Sequence, residues 1–230
     1  MKFFPLYIYI MLISGCDKIS NPATQQQQRA KDSVSFLPAR FIAFNYIELD
    51  KIERISKFRS GIGHDYSDGI ESCRSMKHYF QPKSTIDWSA VKIFSPVSGT
   101  IVRIEEEWAG TQLWIRPFTQ PEYTIIIFHI ALLNSTMLGD TVSAGQQIGF
   151  HIGAQTMSDI AVGFTPHDTW QLLSYIQVLT DSLFAHYMAH GIPLRDDLII
   201  SKTARDNDPL QCSGEAFGTG GSLENWMNLR

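Results

Sequence analysis

Residues 91–164 set the tightest limit on what this chain can fold into. The run "VKIFSPVSGTIVRIEEEWAGTQLWIRPF" reads as strand, Pro/Gly turn, strand, Ala-Gly turn, strand. "EYTIIIFHIAL" follows, strongly β-prone and bounded by Pro121 and Asn134. After it come "GDTVSAGQQIGFHIG", two tight Gly turns around short strands, and "SDIAVGF", one further short strand. Short strands punctuated by Gly and Pro specify an antiparallel sheet or a small barrel-like β domain. Upstream, "ARFIAFNYIEL" has the near-alternation of a further strand. The expected class is mainly β (α+β).

The pattern changes after residue 164. "TPHDTWQLLSYIQVLTDSLFAHYMAHG" offers Thr165 as an N-cap, Pro166 at the first helical position and Gly191 as the stop. Leu172, Leu173, Ile176, Leu179, Leu183, Phe184 and Tyr187 would share one helical face. The remainder is loop-rich, with one short apolar run, "DLIIS". The expectation is a β domain over 38–163 with a helical and irregular extension, 164–230, packed on it.

In front of the domain stands "MKFFPLYIYIMLISGC", one Lys followed by an apolar run that ends in small residues before Cys16. The run is too short for a mature membrane span, which takes about 20 apolar residues, and suits an export signal. "ISGC" resembles a bacterial lipobox, which implies a signal peptide over 1–15, lipid on Cys16 and a domain facing the periplasm or the cell exterior. The polar stretch with its run of four Gln, "DKISNPATQQQQRAKDSVS", lacks the apolar surface to offset ordering entropy and reads as a flexible tether over 16–37. With Cys16 lipidated, Cys73 and Cys212 remain as an even pair in an oxidising compartment, and a Cys73–Cys212 disulfide is expected. A net charge of -4 and no Lys/Arg stripe give no reason to expect nucleic acid as a partner.

"GIGHDYSDG", at 61–69, places His64 and Asp68 four apart in a glycine-framed loop, and both are zinc-ligand types. The chain then runs through "SPVSGTIVRI", "IIIFHIALL", "GDTVSAGQQIGFHIG" and "SDIAV". In this order the segments resemble the lysostaphin/LytM-type zinc metallopeptidase domain, a peptidoglycan endopeptidase fold, over about residues 58–163. The resemblance implies that His64 and Asp68 are the first two zinc ligands and that His129 is a catalytic histidine, although Ile127 stands where the family has Tyr. The family's closing His-x-His is missing: the strand reads Ser158-Asp159-Ile160. Catalytic zinc takes three protein ligands and a water, so the site is expected to be degenerate, with Asp159 or His151 as candidate third ligand.

His186 and His190 sit four apart near a helix end, where such a pair is ordinarily solvated. His78, in "CRSMKHYF", follows the expected disulfide. The two Gly turns also resemble the halves of a biotinyl/lipoyl carrier domain, but the strand between them, "YTIIIFHIALLNSTM", has no Lys to carry a cofactor. Taken together, these features suggest a membrane-anchored envelope protein of LytM-like fold. It would be non-catalytic, binding or regulating at peptidoglycan or a cell-wall hydrolase. The alternative is an active zinc-dependent endopeptidase with an atypical third ligand.

Overall fold

β-branched and aromatic residues build most of the molecule's extended backbone. The computed structural model describes residues 38–230, which form one compact unit. The expected signal, tether and lipidated Cys16 lie outside the described residues. The strands are β1 (Ile52–Ser56), β2 (His78–Pro82), β3 (Lys92–Phe94), β4 (Gly99–Glu106), β5 (Thr111–Pro117), β6 (Tyr123–Leu132) and β7 (Thr141–Val142). They continue with β8 (Gln147–His151), β9 (Ser158–Phe164), β10 (Gln171–Leu173), β11 (Gln211–Ser213), β12 (Ala216–Thr219) and β13 (Trp226–Asn228). Three α-helices follow β10: α1 (Tyr175–Val178), α2 (Asp181–Ala189) and α3 (Lys202–Asn207).

Eleven strands form one sheet whose main path runs β13-β1-β2-β9-β6-β5-β4-β7; β10 pairs with β9, and β8 pairs with β3 and β6. Its named pairings are antiparallel and it does not close into a barrel. β9 is the middle of the sheet, and all seven of its residues are buried. One face of the sheet carries the main core, including Phe80, Ile125, Ile127, Ile160 and Val162. The other face carries a smaller cluster of Phe58, Met76, Ile126, Phe128, Ala161 and Leu172. A strand buried on both faces reads as a continuous apolar run rather than an alternating one, which is the pattern of "IAVGF".

Two segments depart from the sequence reading. "ARFIAFNYIEL" is not a strand: it makes isolated bridges at Ile42–Leu179 and Ile47–Ile93. The Phe41 and Ile42 amides both go to the Val178 carbonyl at the end of α1, so no neighbouring backbone runs beside it far enough for a ladder. Its Ile42, Tyr46 and Ile47 still fill the core.

The single helix expected over 165–191 is broken into a 3-10 turn, β10, α1 and α2. The edge of β9 beyond β2 was open, and Gln171–Leu173 pair onto it. Gly163 is what admits this segment: a Cβ there would lie 1.9 Å from the Trp170 ring. Trp170 in turn stacks on Trp114, ring centroids 5.9 Å apart. Helical backbone resumes at two new caps, Ser174 accepting from the Ile176 amide and Thr180 from the Leu183 amide. The tail is more ordered than expected, with α3, the β11–β12 hairpin and β13 zipped onto β1.

Candidate functional site

The loop joining β1 to β2 carries His64, and several contacts fix its shape. Arg59 grips Glu71 through Nε and Nη2, and Glu71 also takes Arg74 Nη1 at 2.6 Å. The Asp65 carboxylate accepts from the Cys73 and Arg74 amides. Cys73 is bonded to Cys212, tying the loop to the C-terminal hairpin. The fully buried Arg205 donates to the Arg59 carbonyl and to Asn225 Oδ1. The disulfide expected from the cysteine count is therefore present.

This clamped loop lays His64 over the start of β2. A carbonyl only accepts, so the 3.0 Å contact between His64 Nδ1 and the Asp65 carbonyl puts the proton on Nδ1. Nε2 is left with its lone pair facing Lys77 Nζ at 3.1 Å. Lys77 is 1% exposed and forms an ion pair at 2.6 Å with Asp159 Oδ2, itself 0% exposed. Aromatic rings surround the rest of the ammonium: Phe128 at 4.1 Å, Tyr66 at 4.7 Å and Tyr79 at 5.2 Å. Gly63, at φ +77°, brings the loop against Tyr79, whose hydroxyl would lie 2.1 Å from a Cβ at that position.

Sheet register explains why these groups meet. Asp159 of β9 is paired with Tyr79 of β2 on one side and Phe128 of β6 on the other, so the three share a face. Lys77, two residues before Tyr79, projects to that face as well. His78, Phe80, Ser158 and Ile160 occupy the opposite face. His78 there donates from Nδ1 to the Ser56 carbonyl and accepts the Ser174 hydroxyl at Nε2, both at 2.8 Å. Burial lowers its pKa to about 4, against the contrary pull of the Ser56 bond.

His129 reaches the site from a break in β6. Up to Phe128 the strand pairs with β9; from Ile130 it pairs with β8. Between these, β6 has one residue more than β5 opposite it, and His129 takes φ +56°. Such a bulge re-aims a side chain, and positive φ in a non-glycine residue is uncommon. His129 Nδ1 contacts the Ala109 carbonyl at 3.0 Å and Glu107 Oε2 at 3.1 Å, while Nε2 faces Asp159 Oδ1 at 3.7 Å. Burial disfavours its charged form, but the Glu107 bond and the nearby Asp159 and Glu107 charges prevail, and its pKa is raised. Glu107 is lowered: burial pushes it up, and the His129 bond and charge outweigh that. Trp108, 76% exposed, tilts over the imidazole with ring centroids 5.5 Å apart.

The remaining candidates have other partners. Asp68 is not among the groups meeting at Lys77: Oδ1 accepts from the Ile70 and Glu71 amides and Oδ2 from the Leu172 amide, all at 2.9 Å. His151 accepts the Gly153 amide at Nδ1, and burial lowers its pKa to about 4, with His129 adding to the effect. His190 bonds the His186 carbonyl through Nδ1 and Asp50 through Nε2, beside a concavity of about 540 Å³ lined by Phe44, Leu183 and His186. Among the described residues, no group of three or more His, Cys, Asp or Glu side chains could hold a metal ion. Zinc bonds O and N at about 2.0–2.2 Å, and the Lys77 ammonium stands in the space between His64 and Asp159. The donors present therefore do not fit zinc. Lys77 was not singled out in the sequence; its one signal is a charged residue inside "SMKHYF", a run otherwise suited to burial.

No protein-family profile matches the chain, and no curated protein matches it in sequence. Among solved structures it is similar to a Ruminococcus gnavus protein assigned as the glycyl-glycine endopeptidase LytM, with 12% identity and a TM-score of 0.35 over 44% of this chain. The match spans only 43% of that protein's length. It is also similar to a chain of the SpoIIQ–SpoIIIAH pore-forming complex, at 12% identity and TM-score 0.45, covering 66% of this chain and 99% of that one. A third likeness is to lysostaphin in solution, at 15% identity and TM-score 0.33, over 51% of each chain. Two of these, LytM and lysostaphin, carry the names of the family that the order of the sequence motifs resembles.

Proposed function

We propose that this chain is an exported, lipid-anchored protein of LytM-like fold that binds or regulates at the cell envelope without cleaving peptide bonds. The Lys77–Asp159 ion pair supports the reading, because it puts a buried cation beside His64 and Asp159, two of the side chains that the resemblance offers as zinc ligands. Cys16 would hold the lipid, residues 16–37 would tether the domain, and peptidoglycan or a cell-wall hydrolase would be the partner. A second reading, an active zinc endopeptidase, draws support from His64 and His129. Both protonate Nδ1 and turn Nε2 inward, the arrangement of ligating histidines. It would need Lys77 withdrawn and Asp159 or His151 recruited.

Incubating the purified full-length chain with insoluble peptidoglycan and added zinc separates the two. The proposal expects co-sedimentation with no soluble fragments released. Fragment release that disappears in His129→Ala would establish the second reading.

A further inference from the structure

We infer that the Lys77 ammonium is the resident cation of this site, standing in for a metal ion between His64 and Asp159, with His129 on the far side of the Asp159 carboxylate. Three observations lead there. The ammonium is held as a ligated cation would be, by a carboxylate oxygen at 2.6 Å and an imidazole lone pair at 3.1 Å. Each of the two histidines has Nδ1 anchored by a backbone carbonyl, which fixes the tautomer that presents Nε2. Asp159 is wholly buried, and Lys77 supplies its one close counter-charge among the described residues, since His129 Nε2 lies farther off at 3.7 Å. A buried carboxylate without a cation is costly, so the lysine supplies what a bound ion would.

The stem of Lys77 enters from β2, so the cation is covalently part of the fold and cannot be exchanged or chelated. The wild-type chain should therefore exclude divalent ions here. Removing the amine should leave the His64 imidazole and the Asp159 carboxylate facing a vacated position, and with His129 drawn in from its 3.7 Å approach to Asp159 the donor types would suit zinc. Magnesium, which prefers oxygen ligands and keeps its water, should not replace it.

The test uses the full-length chain and reads metal content and stability, so its outcome is independent of any binding to the cell wall. Wild type and Lys77→Ala are purified with EDTA, titrated with Zn²⁺ or Mg²⁺, and examined by elemental analysis and urea denaturation. The expected result is about one zinc in Lys77→Ala and none in wild type. At zinc about a hundred times its Kd, the folded-to-unfolded ratio of Lys77→Ala should rise roughly a hundredfold. The gain should vanish in Lys77→Ala/His64→Ala. Lys77→Met, which refills the space with an apolar chain, should take no zinc. Stoichiometric zinc in wild type that depends on His64 would overturn the inference. So would a Lys77→Ala chain that gains nothing from zinc but recovers with n-propylammonium, since the cage would then accept ammonium alone. Failure of Lys77→Ala to refold even with zinc, while Lys77→Met folds, would also overturn it.

Discussion

Asp159 and Lys77 show how two residues can decide what a site is. The carboxylate belongs to the middle strand, the amine to its neighbour, and each is almost completely excluded from solvent. Breaking such a pair on one side leaves an uncompensated buried charge and typically costs about 3–5 kcal/mol. Lys77→Met alone should therefore lose about that much in urea denaturation. Lys77→Met/Asp159→Leu should recover most of the loss, because apolar groups of similar volume replace a buried pair at little net cost. A double variant no better than the single would show that packing, not charge, dominates at this position. Part of this centre was legible in advance: His64, His129 and Asp159 all meet near one point. Lys77 was not, because its meaning depends on β2 lying next to β9, a pairing between residues some eighty apart that no local pattern encodes. Asp68 has the spacing of a metal ligand, but its carboxylate accepts two backbone amides from its own loop and a third from β10, a contact that spacing does not encode.

Among the elements, β10 shows where periodicity misleads. The apolar spacing over 172–187 fits a helix, and α2 does form there, but 171–173 form sheet instead. An open strand edge offers three residues ready-made hydrogen bonds, and helical propensity is too weak a preference to resist. The arrangement depends on the absent side chain of Gly163. Gly163→Ala should force Trp170 off Trp114, loosen β10 from β9 and cost about 1–3 kcal/mol, as overpacking does. Thermal unfolding together with the loss of near-ultraviolet tryptophan dichroism would measure it; an unchanged melting point would show that Trp170 does not anchor the strand. Most strands between 92 and 164 were legible because they combine β-branched or aromatic residues with Gly, Pro or Asn at their ends. The strand expected at 39–49 failed because strand-forming residues need a neighbour, and the segment has one at only two points.

On the scale of the whole molecule, buried histidines tie stability to pH. His78 and His151 are lowered to about 4 from an ordinary value of about 6.5, so the unfolded chain binds their protons more readily. Their contribution is complete above about pH 6.5 and is lost as pH falls through about 4, by on the order of 3 kcal/mol each. His129, raised in the folded state, works in the opposite sense. It stabilises fully below about pH 6.5 and loses that contribution as pH rises through its folded pKa. Stability should therefore peak near neutral pH and fall steeply on acidification. The acid limb should flatten in His151→Leu, measured by urea midpoints from pH 4 to 8; a wild-type midpoint constant over that range would contradict the linkage.

The position of β9 also bears on how the chain reaches this state. It lies between β2 and β6, yet it is made after both, along with everything from β3 to β8. Until residues 158–164 emerge, the β1–β2 pair and the β4–β5–β6 meander each end in an unpaired edge. Both edges are completed by the same strand. Joining them closes long loops before the new contacts form, which slows folding and lengthens the time in which bare edges can pair with another chain. One strand thus joins what would otherwise be two separate sheets. Asp159 and Lys77 acquire each other in that same event.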